Sequence, residues 1–461
     1  MHYEKFADGS VNCIEDEIPF ELPDGWAWAR LGTVFSTVTG ATPSTKDASL
    51  YGTDYPFYKP TDLDAGYNVC GAEDSVSEKG YLSGRPLPKF SVLVTCIGAT
   101  IGKTGYISNA GICNQQINAV LPNSEVLSDY TYFCMCSQYE QQQIWTNSSA
   151  TTLPILNKSK FDNLLFPIPP HEQQSQIVER IKGLFSFVEK VQSNQESLKA
   201  TAGIAKSKIL DLAIRGQLVP QDPNDEPASV LLERIRAEKE KLIKQGKIKR
   251  DKKESVIFRG EDNSYYLKSE FGTEEITNEL PFEIPDSWEW GKIGDIMQVN
   301  PRNKLEDSLE VSFIPMPLIE DGFSGKHSSD VRPWKSVKSG FTHFMEGDIG
   351  IAKITPCFEN RKSVVFENLT NGYGAGTTEL HILRPYTSTI LAEYVLAYVK
   401  SPMFIDNGVQ AFSGAVGQQR IGKDYVEGSF FPVPPLMEQA RIIKQIAVAF
   451  EQLDIISNAL L

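Results

Sequence analysis

The chain has 461 residues, 41% of them hydrophobic, and a formal net charge of −14 from 45 basic and 59 acidic side chains. That length exceeds one simple core and implies two or three domains. The acidic balance excludes a simple nucleic-acid coat but not a local basic groove, because total charge does not fix the field in a cleft. The seven cysteines lack metal-site spacing, and Cys134 and Cys136 stand too close for the usual zinc pair. With no apolar signal segment in residues 1–10 and no membrane-length apolar run, a cytoplasmic location is expected.

Residues 1–16 read as a polar lead-in with room for one short strand. The first landmark is Ile18-Pro19-Phe20-Glu21-Leu22-Pro23-Asp24-Gly25-Trp26-Ala27-Trp28. It returns 262 residues later as Leu280-Pro281-Phe282-Glu283-Ile284-Pro285-Asp286-Ser287-Trp288-Glu289-Trp290. Proline imposes extended backbone, and Asp-Gly or Asp-Ser suits a turn. Trp26, Trp28, Trp288 and Trp290 are therefore expected to pack the starts of two similar domains. A short helix or strand follows at residues 31–35 and 293–297. A strand over 91–97 leads into Gly98-Ala99-Thr100-Ile101-Gly102-Lys103-Thr104-Gly105. Those glycines lack the Walker spacing and read as a tight turn rather than a nucleotide cradle. Asn114, Gln115 and Gln116 precede an apolar strand segment. Such amides can read adenine edges or satisfy buried backbone groups. A helix is predicted over 128–145.

Phe166-Pro167-Ile168-Pro169-Pro170 closes this domain and recurs as Phe431-Pro432-Val433-Pro434-Pro435, an offset of 265. Each proline run launches a helix. In the first helix the apolar positions are Ile177, Ile181, Leu184, Val188, Val191, Leu198, Ala202, Ala205, Ile209 and Leu212, in alternating steps of four and three interrupted only at Gln195. That is a coiled-coil seam roughly 50 Å long. Ile442, Ile446, Ala449, Leu453, Ile456 and Leu460 repeat the spacing near the other end of the chain. The seams are expected to pair through Ile177, Ile181, Leu184, Val188, Val191 and Leu198 on one side and those six residues on the other. The first helix runs about twenty residues past the part matched before Leu461. Domain plus helix, twice, is the organisation. It divides into a lead-in (1–16), a first domain (17–170), a long helix (171–215), a turn, charged helix and linker (216–278), a second domain (279–435) and a short helix (436–461).

Within the linker, residues 231–253 carry ten basic and four acidic side chains, a solvated helix or a surface for a phosphate backbone. In the second domain strands are predicted over 341–354 and 364–366, a glycine-rich loop over 371–378, a strand over 379–383, and helices over 390–399 and 404–412. His2, His171, His327, His343 and His381 do not cluster. No HExxH, GxSxG, complete P-loop or CxxC is present, nor an Asn/Asp-Pro-Pro motif of the amino-methyltransferase kind. The residues alone describe a non-catalytic, two-headed recognition protein with a helical spacer.

The run Ser207-Lys208-Ile209-Leu210-Asp211-Leu212-Ala213-Ile214-Arg215-Gly216-Gln217-Leu218-Val219-Pro220-Gln221-Asp222-Pro223-Asn224-Asp225-Glu226-Pro227-Ala228-Ser229 resembles the specificity subunits of Type I restriction-modification systems. The duplicated Ile/Leu-Pro-Phe-Glu openings, the 97–103 turn and the two Pro-Pro-helix junctions add to the resemblance, which covers nearly the whole chain. It implies a mixed α+β fold, with two similar target-recognition domains separated by long helices that form an intramolecular antiparallel coiled coil. It further implies that the chain reads a bipartite, asymmetric double-stranded DNA site and has no catalytic, cofactor or metal site of its own. Two modification subunits that bind S-adenosylmethionine and methylate adenine are the implied partners. Restriction subunits using ATP and Mg are a further partner that the resemblance leaves open.

Candidate DNA-facing residues are Lys46, Lys59, Lys79, Arg85, Lys103, Gln115 and Gln116 in the first domain. In the second they are Arg302, Lys304, Lys326, Arg332, Lys335, Arg361, Lys362, Thr377 and Thr378. Arg and Lys suit phosphate or guanine, and Gln suits adenine. The rival reading is a coiled-coil assembly adaptor whose domains bind proteins, which the acidic balance favours. A one-chain methyltransferase ranks third.

Overall fold

The computed structural model describes every residue except 7, 125, 150–152, 251–253, 387–388, 416 and 460–461. The fold is mixed α+β and divides into two compact units, Met1–Val191 and Gln192–Leu461. The division falls inside the long helix His171–Ile214. No helix among the described residues is long and apolar enough to cross a membrane.

The first unit begins with an antiparallel hairpin, Tyr3–Lys5 against Val11–Cys13. The lead-in therefore has one strand more than its sequence suggested. Asp8 turns the hairpin by accepting from the Ser10 backbone N–H at 2.9 Å, with Gly9 at φ +85°. Arg30 ties the lead-in down through ion pairs to Glu4 of the hairpin (3.2 Å) and to Glu17 of the turn after it (2.8 Å). Ala27–Arg30 pairs antiparallel with Leu165–Ile168, so the two proline-flanked segments of the domain close on each other. Between them lies a sheet in the order Thr37–Thr39, Ile117–Val120, Val92–Thr95, Thr104–Tyr106. A smaller sheet, Asp74–Val76, Tyr51–Tyr58, Ile112–Cys113, has its last pair parallel. Val92–Thr95, at the centre of the four-stranded sheet, is buried along its whole length. The single helix expected over 128–145 is two, Ser128–Met135 and Gln138–Asn147. Ser137 breaks it, because its side chain caps the second helix by accepting from the Glu140 N–H.

The second unit repeats this plan. Glu289–Lys292 pairs with Phe430–Val433. One sheet runs Met297–Val299, Leu380–Pro385, Ile349–Ala352, Ser363–Val365, and the other runs Asp330–Pro333, Glu310–Ile314, Tyr373–Gly376, Thr342–Met345. Glu310–Ile314 and Tyr373–Gly376 form the parallel pair that matches the one in the first unit. The glycine-rich loop expected over 371–378 is mostly this strand, and the reason is spatial. A Cβ on Gly374 would lie 2.1 Å from the Phe344 ring, which stacks on Phe366 with centroids 3.7 Å apart. Glycine here makes room rather than flexibility.

Each unit fastens its closing strand and outgoing helix with the same two side chains. Tyr130 donates its hydroxyl to Pro167 O (2.9 Å), and Tyr394 donates to Pro432 O (3.2 Å). Gln174 accepts from Leu127 N and donates to Pro169 O. Gln439 accepts from Leu391 N and donates to Pro434 O and Thr389 O. Both glutamines are essentially fully buried, so every one of these bonds replaces a lost water contact.

Within the second unit the last helix, Leu436–Asn458, runs antiparallel to the end of the long helix. Ala213, Ile214 and Ile442 share one core with Leu232, Ile235 and Trp288. About two turns back along the long helix, Lys206 pairs with Asp454 at 2.5 Å. Arg441 holds Asp225 of the turn-rich break at 2.5 Å. The basic helix Ala228–Lys244 buries Lys239 against Glu254 (3.0 Å) and Asp295 (3.9 Å).

Candidate nucleic-acid interface

At one end of the main sheet of each unit, three segments are joined by the same backbone bonds. In the first unit Leu156 N donates to Cys96 O (2.8 Å), Cys96 N to Gln116 O (2.7 Å) and Gly98 N to Pro154 O (3.0 Å). In the second, Ile421 N donates to Lys353 O, Lys353 N to Glu379 O and Thr355 N to Gln419 O, each at 3.0 Å. Cys96 thus corresponds to Lys353, and Gln116 to Glu379. A fourth segment joins in the same way, with Gly40 N donating to Ile117 O (2.9 Å) and Asn300 N to Ile382 O (2.8 Å). The second unit inserts one extra pair of rungs between these bonds, Ile351 opposite His381 and Ala352 opposite Leu380. Its edge consequently projects about 7 Å further along the strands.

The side chains on this shared edge differ. In the first unit Thr42 donates to Gln115 Oε1 (2.6 Å), and Asn114 donates to Gln116 Oε1 (2.9 Å) while accepting from Gln116 N. Arg85 lies beside them, its guanidinium on Thr39 O. Gly98 and Gly102, both at positive φ, make the adjoining turn, as the sequence predicted. In the second unit Asn300, Arg302, His343, Lys353, Thr378 and Leu380 line a recess of about 260 Å³. Arg302 donates one guanidinium N–H to Phe341 O at 2.9 Å. The carboxylate of Glu379, whose backbone O accepts from Lys353 N, is taken by both arms of Arg420 (2.9 and 3.0 Å). The electrostatics of the recess are consequently cationic.

Two histidines flank it and both are held neutral. Burial lowers the His381 pKa first, helped by Lys353 and Lys423. Its Nδ1 accepts from Asn300 Nδ2 (3.2 Å) and its Nε2 donates to Ile421 O (3.1 Å). Burial also lowers the His343 pKa, with Arg302 adding to the effect.

Of the sequence-predicted residues, Gln115, Gln116 and Arg85 gather at the first edge, and Arg302 and Thr378 at the second. Lys46 is exposed just beyond the first edge, on the loop whose Asp47 pairs with Lys79 at 3.2 Å. Lys59 is paired with Asp74, and Lys103 with Asp64 at 2.6 Å. Lys304, Lys326 and Lys335 are exposed, and Arg332 lies 3.8 Å over the Phe313 ring. Arg361 and Lys362 turn inward: Arg361 Nε donates to Lys400 O (3.0 Å) and Lys362 Nζ to Ile319 O (2.9 Å). The Thr377 hydroxyl accepts from Glu379 N. Asn300 and Lys353 escaped sequence reasoning. Lys353 ends an apolar run and carries no local signal.

On the helices, Ile177 packs against the core of the first unit, Ile181 and Leu198 are half-buried, and Leu184, Val188 and Val191 are 62%, 50% and 39% exposed. Ile442 is buried, and Ile446, Ala449 and Leu453 are half-buried. Ile456 is 53% exposed, and Leu460 lies outside the described residues. On the long helix, Lys206 pairs with Asp454 of the last helix, Leu210 lines a cavity with its Ile443, Ile446 and Phe450, and Ala213 and Ile214 share a core with its Ile442. Among the described residues no group of His, Cys, Asp and Glu could hold a metal ion.

Residues 23–200 match the family model described as the Type I restriction modification DNA specificity domain. Over 244 residues the chain is 50% identical to the Type I restriction enzyme EcoAI specificity subunit of Escherichia coli and 46% identical to the EcoEI specificity subunit of the same organism. Each alignment covers 52% of this chain but only 38% of the relative's length. Among solved structures, the HsdS subunit from Thermoanaerobacter tengcongensis superposes with a TM-score of 0.52 at 15% identity, covering 96% of this chain and 94% of that one. A chain from a structure of a type I R-M system reaches 0.56 at 16% identity, with the same coverage. Both are likenesses of fold.

Proposed function

We propose that this chain is a member of the Type I restriction-modification specificity family, which its matches to the family model and to the EcoAI and EcoEI subunits support, and that it is a non-catalytic subunit reading a bipartite, asymmetric duplex DNA site. The observation that carries this reading is the repeated edge: one backbone frame, built twice, presenting Thr42, Gln115 and Gln116 in one unit and Arg302, Lys353 and Thr378 in the other. Two copies of one frame with different polar surfaces suit two different half-sites. Surrounding lysines and arginines position the duplex through phosphates, while the edge residues read bases. The overall charge of −14 favours a protein-binding adaptor, but the recess itself is cationic.

In this reading the helices hold the two readers apart and dock two modification subunits. Those partners bind S-adenosylmethionine and methylate adenine in the cytoplasm. Restriction subunits using ATP and Mg join the complex where they are present. The target adenine leaves the stack in the partner's pocket, so the specificity chain needs no reaction chemistry.

The test is to express this chain with its modification partner and map methylated adenines genome-wide. One bipartite motif with a fixed gap is the expected result. Methylation without sequence preference, or none, sinks the reading and leaves the adaptor.

A further inference from the structure

The recess of the second unit is unusual for what it lacks. Arg302 and Lys353 are its charged groups, and both are hydrogen-bond donors only. Among the described residues neither is held in an ion pair, since Glu379 is committed to Arg420. His381 has both ring nitrogens engaged, and His343 Nδ1 accepts from Asn303 N (3.3 Å). Asn300 spends its amide oxygen on Ile382 N and its amide nitrogen on His381. The recess therefore offers an incoming group two cationic donors, with the Thr378 hydroxyl beside them.

In the major groove the bases differ in what they ask for. Guanine shows two acceptors, N7 and O6. Adenine shows an acceptor and a donor, cytosine a donor, and thymine an acceptor and a methyl group. A rim of paired donors matches guanine and leaves the amino groups of adenine and cytosine facing cations. The first unit lacks this chemistry at the corresponding positions, where Cys96 is a buried thiol and Gln116 an amide.

Resting on the DNA-reading function above, we propose that this recess reads one guanine of the half-site recognised by the second unit, with Lys353 and Arg302 as specificity-determining residues. Lys353 is held at the end of the extended strand pair by backbone bonds on both its N–H and C=O. Its ammonium is thus presented from a fixed base. Arg302 is oriented by its bond to Phe341 O, which leaves the rest of its guanidinium fork for the base.

The experiment is methylation mapping with the assembled modification complex for the wild-type chain and for Lys353→Gln, Lys353→Arg and Arg302→Gln. Each glutamine variant is expected to relax one G·C pair in one half-site, by roughly ten- to hundredfold in preference. The other half-site and the gap stay unchanged, and Lys353→Arg keeps the guanine. An unaltered motif in both glutamine variants overturns the proposal. So does a uniform loss across all positions, which marks phosphate contacts, or relaxation at an A·T pair. Arg302 is exposed, so its variant decides the matter even where a Lys353 substitution disturbs folding. A wild-type chain with no bipartite motif overturns the function as well. A bipartite motif with unaltered variants overturns this inference alone.

Discussion

In the first unit a buried cysteine and an amide occupy the backbone positions that a lysine and a glutamate occupy in the second. The hydrogen bonds beneath them, from Leu156 and Ile421 onward, are the same. Stability and presentation are thus assigned to different residues. Buried glutamines, tyrosine hydroxyls and paired closing strands fix the frame in both units, and the edge is free to carry unrelated chemistry. A change at the fastening should cost stability in either unit alike, whereas a change at the edge should leave stability alone.

The largest expected effect tests the fastening. Replacing Gln439 with Ala leaves Leu391 N, Thr389 O and Pro434 O without their buried partner. We expect a loss of about 3 kcal/mol in denaturant unfolding. Gln174→Ala should cost a comparable amount, because the same bonds recur at Leu127 N and Pro169 O. A large loss in only one of the two variants would break the equivalence of the units.

A smaller effect sharpens a difference between them. Gly374→Ala pushes a methyl into the Phe344 ring and should lower stability by about 2 kcal/mol, measured as a drop in melting temperature. An unchanged melt would mean that the aromatic stack yields easily and that the glycine strand has another purpose.

The smallest change is read as a slope. Glu140 is fully buried in the first unit with one amide donor, Gln143, and burial holds its pKa well above the ordinary 4.5. Its counterpart in kind, Asp348 of the second unit, is buried but gripped by Arg384 at 2.6 Å. A carboxyl whose pKa is raised by folding keeps its proton in the fold where the unfolded chain has lost it. Its contribution to stability therefore falls as pH rises above about 4.5. Glu140→Gln should match the wild type near ~pH 3 and exceed it at about pH 8. Parallel stability curves for the two chains would show that Glu140 is ionised in place.

Much of this architecture was legible because its signals are local. Prolines and tryptophans repeat at a fixed offset, and proline runs start both helices. The reading failed where the reason for a residue sits far away in the chain. Gly374 is a strand residue because of Phe344, thirty positions earlier. Gln174 and Gln439 look like ordinary helix residues until their partners, some fifty positions back, are in place. Lys353 was missed because the two extra rungs change the offset between the units in mid-strand, so no constant spacing aligns it with Cys96. The heptad spacing foretold two seams but not which turns meet. The ion pair of Lys206 with Asp454 and the core shared by Ala213, Ile214 and Ile442 set the last helix against the final turns of the long helix.

The extra rungs, Ile351 with His381 and Ala352 with Leu380, carry a consequence for how such a scaffold changes length. Successive side chains on a strand point to opposite faces. Adding two residues to each partner moves the edge outward and leaves every inward residue inward. Adding one would turn the rest of the strand inside out. Growth at this edge is therefore quantised by parity. Units of this kind should differ in reach by even numbers of residues per strand, in steps of about 7 Å.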